Sequence, residues 1–310
     1  MSVLIVGAGA VGALFGSALA RQGAAVSVVC RSDYEVVKRD GYAITSPLLG
    51  NHRFRPAQVY RSVSECQEPP EYLILTVKVL PDVDRAALIR PAVGPRTVIV
   101  LIENGLDIEE EIVRAFPSNE VLSAIALVAV GRTGPGRIDH LSLGSLVLGR
   151  YPQGATPAAQ RLAAMFEAGK IGCKVTDDIV SARWQKAVWN ASFNPLSILG
   201  GTLDTATILG TPQGETLVRE LMNEICAVAA AAGAPQEPAL VEKMIAGTKA
   251  MPPYKTSMGL DFESGRPMEI EAILGNVVRA ARRVGVATPR LETVYAITRM
   301  IQEKLARNRA

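Results

Sequence analysis

Cysteine and histidine are scarce in this chain, with four of the first and two of the second in 310 residues. Cys30, Cys66, Cys173 and Cys226 lie far apart and form no Cys-x-x-Cys pair. That spacing excludes a metal knuckle and a disulfide framework, and it fits reduced thiols in a cytoplasmic protein. His52 and His140 are equally isolated, so no metal site is expected. The chain also lacks any run of five like charges, and its net charge is only +3. Nucleic acid is therefore not an expected partner, while the small excess of Lys and Arg suits anionic small molecules. The first twenty residues carry no charged side chain. Yet no basic stretch precedes this apolar run and Gly7, Gly9, Gly12 and Gly16 interrupt it, so neither a signal peptide nor a membrane span is expected.

What is present begins at once. A short apolar strand at 3–6 runs into Gly7-Ala8-Gly9-Ala10-Val11-Gly12, followed by a helical stretch and a second strand ending at Cys30-Arg31. This is the order of a dinucleotide-binding βαβ unit. Gly7 permits the tight turn, Gly9 lets the backbone approach a pyrophosphate, and Gly12 allows close packing of helix on strand. Free N–H groups and the helix dipole would favour the pyrophosphate at the helix start. The end of the second strand selects the cofactor. An acidic residue commonly stands there to bind the ribose hydroxyls, but this chain has Cys30-Arg31-Ser32 and then Asp33. A guanidinium suits a 2′-phosphate in charge and geometry, so NADP(H) is the expected cofactor. The alternative makes Arg31 an ordinary surface residue and Asp33 the ribose ligand.

Short apolar strands alternate with helical or loop segments through the first half, at 3–6, 25–30, 72–77, 97–102, 121–130 and 145–149. Segment 131–144 reads as a turn entering a hairpin, and a helix at 157–169 with a strand near 171–176 closes the region. Beyond 178 the strand signal fades. Helices are expected at 179–200, 213–233, 236–248, 268–285 and 288–307, with Gly233-Ala234-Pro235 and Pro289 as breaks. The chain length accommodates two cores. The fold class is thus α/β, with an N-terminal Rossmann-type, doubly wound domain over 1–177 and an all-α domain over 178–310.

Ligands of open α/β sheets lie beyond the carboxyl ends of the strands, where Lys78 and Asn104 stand. Each is a candidate for the nicotinamide half of the cofactor; the plainer readings are a strand-capping lysine and an Asn-Gly turn. In the second half, Lys186, Asn190 and Asn194 are spaced i, i+4, i+8 and are expected on one helix face among apolar neighbours. Partial burial would pull a lysine pKa towards the range useful for proton transfer. The alternative is the exposed stripe of an amphipathic helix. Ser257 is a candidate to meet a substrate carboxylate. Glu269 opens a helix, where it can serve chemistry or only the dipole, and Glu271 competes for the role.

Together these residues resemble the ketopantoate reductase family over nearly the whole chain. The resemblance is carried by the glycine loop, Cys30-Arg31, Thr76-Val77-Lys78, Asn104-Gly105 and Gly134-Pro135-Gly136. In the second half it is carried by Lys186-x3-Asn190-x3-Asn194-Pro195, Thr256-Ser257-Met258-x2-Asp261 and Gly265-Arg266-Pro267-Met268-Glu269. It implies a second domain like that of 6-phosphogluconate dehydrogenase and reduction of ketopantoate to pantoate by NADPH, in pantothenate synthesis. It further implies Lys186 as proton donor, with Glu269 supporting that lysine or the ligands. Asn104, Asn190, Asn194 and Ser257 would bind substrate. Gly7 to Gly12, Arg31, Lys78, Asn104 and Glu269 would bind cofactor, and the protein would be a monomer or homodimer. Two positions depart from the pattern. Glu103 stands where the family usually has glutamine, and if turned towards the ligands it would oppose an anionic substrate. Gly259 replaces a larger apolar residue. Both leave open a relative that reduces another 2-oxo acid. A reading from another class is a non-catalytic NADP-binding redox sensor.

Overall fold

The computed structural model describes residues 1–307. By contact they form two compact units, one of Met1–Lys78, Val83–Glu103 and Glu109–Ile179, the other of Val79–Asp82, Asn104–Ile108 and the chain from Val180 onward. Two loop segments from the first half of the chain thus belong to the second unit.

The first unit runs β1 (Ser2–Val6), α1 (Ala10–Ala20), β2 (Ala25–Val29), α2 (Tyr34–Asp40), β3 (Tyr42–Thr45), β4 (His52–Phe54), β5 (Val59–Tyr60), β6 (Tyr72–Leu75), α3 (Arg85–Ile89), β7 (Val98–Ile102) and α4 (Glu110–Ala115). It continues with β8 (Val121–Gly134), β9 (Arg137–Arg150), α5 (Pro157–Ala168) and β10 (Gly172–Val175). Strands β5, β2, β1, β6, β7 and β8 lie side by side and parallel. Taken in order of appearance among these six, they follow the 3-2-1-4-5-6 order of dinucleotide-binding sheets, with the switch point between β1 and β6. Strands β9, β3 and β4 extend the sheet beyond β8, and β10 pairs with β9.

The continuous apolar strands follow from coverage of both faces. Val3 and Ile5 of β1 and Ile74 of β6 pack in a core shared with α1 and α5, where Phe15 and Phe166 meet edge to face. The intervening Leu4, Val6, Leu73 and Leu75 enter a second core with Ile89, Ile112 and Phe116, from α3 and α4. The segment 131–144, read as a turn entering a hairpin, is the tip of one, with a shorter turn and longer strands than expected. Only Pro135 and Gly136 separate β8 from β9, and three register irregularities leave Thr133, Leu141 and Gly144 without a cross-strand partner. The short β3, β4 and β5 carry too few residues to show a period.

The helical unit contains α6 (Ile179–Leu199), α7 (Thr205–Leu209), α8 (Pro212–Ala231), α9 (Leu240–Ala250), α10 (Ser257–Glu263), α11 (Asn276–Val284) and α12 (Pro289–Arg307). Helix α8 buries Val218, Leu221, Met222, Ile225, Val228 and Ala229, the stripe expected of a core-facing helix. Helix α9 starts at Leu240 rather than 236, because Pro238 lacks an N–H and restricts Glu237. The helix expected over 268–285 is interrupted by a π turn at Glu271–Gly275. There the Ala272 carbonyl accepts a hydrogen bond from the Leu106 N–H at 3.0 Å, drawing it towards the 104–108 segment. Such π turns commonly mark functional positions.

Candidate active site

The glycine loop leaves the carboxyl end of β1. Gly7 has φ +88°, a region open to glycine, and a Cβ there would lie 2.9 Å from the Val77 backbone nitrogen. A Cβ on Gly12 would come within 2.6 Å of Thr76 Oγ1 and 2.9 Å of Ile5 Cγ2, so helix and strand approach as closely as the motif requires. At Gly9 a Cβ would meet nothing nearer than the Gly7 carbonyl oxygen at 3.8 Å; the space it would fill is open to a ligand. No side chain caps the start of α1, which leaves backbone donors for an anion. These features fit a dinucleotide pyrophosphate. Sequence reasoning missed Tyr42, whose buried hydroxyl donates to the Ala8 carbonyl at 2.7 Å and fixes the loop from below. Tyr42→Phe would leave that carbonyl buried and unpaired. A loss of about 1–3 kcal/mol in unfolding free energy is expected, measurable by urea titration.

Arg31 follows β2, is exposed, and its side chain makes no hydrogen bond or ion pair among the described residues. Asp33 is differently placed: it is buried, accepts from Arg132 at 2.8 Å and Ser32 Oγ at 3.1 Å, and takes the Gly136 N–H at 3.0 Å. Three hydrogen bonds within the protein thus engage the Asp33 carboxylate. Lys78 stands three residues past β6 and is half-buried.

Glu103 follows β7 with its side chain fully buried, paired to Arg85 at 2.9 Å; Arg85 also bonds Glu111 at 2.7 Å. This charge is therefore compensated inside the first unit.

In the helical unit, Lys186 Nζ donates to Asn104 Oδ1 at 2.8 Å. Asn104 Nδ2 lies 3.5 Å from Glu269 Oε2, and Glu269 Oε1 accepts the Val79 N–H at 3.0 Å. A small recess here is lined by Gly105, Leu106, Arg183, Lys186, Ala187, Asn190 and Ile273. Arg183, which sequence reasoning passed over, donates to the Gly105 carbonyl at 3.1 Å. It precedes Lys186 by three residues on α6, and that spacing was the available signal. Burial, reinforced by the Arg183 charge, pushes the Lys186 pKa down to about 8, against the opposing pull of Glu269.

Not every candidate joins this recess. Asn190 lines it, but Asn194 does not; it is buried, and its Nδ2 has no partner among the described residues. Eight residues of α-helix turn the side chain by about 80°, so the i+8 position drifts off the face that i and i+4 share. Ser257 is the first residue of α10 and is exposed. Glu269 precedes the π turn rather than opening a regular helix. Its competitor Glu271 bonds Arg279 at 2.7 Å, Tyr295 at 2.7 Å and Arg299 at 2.6 Å. Burial opposes the charge of Glu271, yet these bonds hold its carboxyl below the usual range. A Cβ on Gly259 would face Ser197 and Thr256, neither of which lines the recess.

No helix among the described residues is long and apolar enough to cross a membrane, and the four cysteines are free. Comparison with known proteins places these features in context. The model described as ketopantoate reductase PanE/ApbA matches residues 3–153, and its C-terminal counterpart matches 178–302. The crystal structure of 2-dehydropantoate 2-reductase from Methylococcus capsulatus is 52% identical, with a TM-score of 0.93 over 98% of both chains. A 2-dehydropantoate 2-reductase of Nostoc sp. is 30% identical over 94% of this chain and 92% of its own. D-mandelate dehydrogenase, solved with NADH and anilino(oxo)acetate, shares the fold at 23% identity, with a TM-score of 0.89 over 99% of this chain and all of its own.

Proposed function

The chain belongs to the ketopantoate reductase family of oxidoreductases, and from that premise we propose that it reduces ketopantoate to pantoate with NADPH. The observation that carries the reading is the Lys186 ammonium, held at 2.8 Å by the Asn104 carboxamide beside Glu269 and Arg183. Hydride for the 2-oxo carbon comes from NADPH when it is bound. Negative charge then grows on the carbonyl oxygen, where a positioned ammonium stabilises it and passes a proton to the alkoxide. Asn104 fixes one donor direction of Lys186. Glu269 sits at the far end of Asn104 and offsets part of the positive charge. Asn190 adds a polar contact in the recess. Asn194 and Ser257 remain assigned to substrate, Ser257 to its carboxylate. Gly7 to Gly12 would hold the pyrophosphate and Arg31 the 2′-phosphate, with Lys78 and Asn104 ordering the remainder.

Glu103 is paired to Arg85 and Gly259 faces Ser197 and Thr256, so neither departure from the family pattern counts against ketopantoate. The full donor set weighs against a sensor, which has no need of a proton source. The specificity constant for ketopantoate is expected to exceed those for pyruvate and for an aryl 2-oxo acid. A higher value for either competitor would reassign the substrate, and no turnover of any would restore the sensor reading.

The pH dependence has a definite sign. Reduction requires protonated Lys186, so its rate should hold steady below about pH 8 and fall above it, while oxidation of pantoate should rise over the same range. A reduction profile flat to pH 10 would remove the lysine from the proton-transfer step.

A further inference from the structure

Asp33 and Arg132 lie far apart in sequence, yet they share one site at the end of β2. Arg132, on the β8 side of the hairpin, places a single nitrogen, NH1, 2.8 Å from both Asp33 Oδ1 and Ser32 Oγ. Asp33 has a side chain only 7% exposed, whereas that of Arg132 is 45% exposed. The buried carboxylate is covered by a guanidinium whose Nε and NH2 make no hydrogen bond among the described residues. Next in the chain to Ser32 stands Arg31, exposed and likewise without a side-chain partner among them. Two arginines and one carboxylate leave a net positive charge at this strand end. Without Arg132 the charges would cancel, and a carboxylate able to accept from a ribose hydroxyl would be uncovered.

We propose that Arg132 determines cofactor specificity: it masks Asp33 and, together with Arg31, offers guanidinium donors to a ribose 2′-phosphate. The inference rests on the NADPH reading above and extends it to a residue remote from the glycine motif. A planar fork can hold Asp33 on one edge and a phosphate on another, a geometry a lysine does not supply. Masking also explains how an acidic residue just beyond the position typical of NAD-binding chains is compatible with a phosphorylated ribose.

The test uses cofactor fragments and needs no turnover. Calorimetric titration of the full chain with 2′,5′-ADP and with 5′-AMP reads the 2′-phosphate preference directly. The unaltered protein should prefer 2′,5′-ADP, and Arg132→Gln should lower that preference by about 10-fold or more. Adding Asp33→Asn to Arg132→Gln should restore part of it, because the uncovered charge is removed. Asp33→Asn alone, which keeps Arg132, should retain the preference and shows that this corner tolerates substitution. Unchanged preference in Arg132→Gln, with preference intact in the parent, would overturn this inference and leave the NADPH reading standing. No recovery in the double variant would contradict masking. A parent that binds both fragments equally would overturn the NADPH reading and this inference with it.

Discussion

Exchange of Lys186 for alanine is expected to leave nucleotide affinity nearly unchanged and to lower turnover by about 10² or more. Lys186 touches Asn104 and lines the recess, while the glycine loop and Arg31 lie on other segments. Its removal takes away the proton and the positive charge at the developing alkoxide together, so the loss should appear in kcat more than in KM. The same residue should cost stability. An ordinary lysine titrates near 10.5, and here burial brings the value to about 8. Between these two values the unfolded chain binds more protons than the folded one, so this contribution makes stability rise with pH across that window. Below pH 8 the penalty is fully present, at most roughly 3 kcal/mol. Lys186→Met should therefore unfold at higher urea than the parent at pH 7, with a gap that narrows towards pH 9.5. A variant that is both less stable at pH 7 and still active would remove the lysine from its assigned role.

The second large effect concerns a pair outside the recess. Arg85→Met should destabilise the protein by about 3–5 kcal/mol, because it leaves the Glu103 carboxylate without its cation in a fully buried position. Glu111 is less sensitive, being partly exposed. Exchanging both partners, as Arg85→Met with Glu103→Gln, should recover much of the loss, since the uncompensated charge is then gone. Urea midpoints of the parent, the single and the double variants measure this. Equal destabilisation in the single and double variants would assign the effect to packing around Arg85 rather than to the buried charge.

Local chemistry made much of this molecule legible from its residues. Gly7, Gly9 and Gly12 announce their turn because the constraint lies within six residues, and the apolar runs of β1, β6 and β7 follow from burial on both faces. Lys186 and Asn190 were placed on one face by helical geometry alone. Asn194 was placed there too, but it does not line the recess, since each i+4 step adds about 40° and two steps carry a side chain off it. The points that the residues left open share a cause in long-range pairing. Whether Glu103 faces ligand was open in the sequence, because its partner Arg85 lies 18 residues earlier. The surroundings of Asp33 depend on Arg132, 99 residues later. Glu269 and Glu271 were indistinguishable locally; Arg279 and Arg299 claim the second, while Asn104 and the Val79 N–H meet the first. Such partners are fixed by tertiary packing, and no short window of sequence contains both members.

The most direct test is to mix the purified chain with NADPH and ketopantoate and follow the nicotinamide absorbance, with NADH in a parallel cell. Rapid oxidation of NADPH, feeble use of NADH and pantoate as product are the results expected. Tight NADPH binding without oxidation, or an equal rate with NADH, would contradict the assignment.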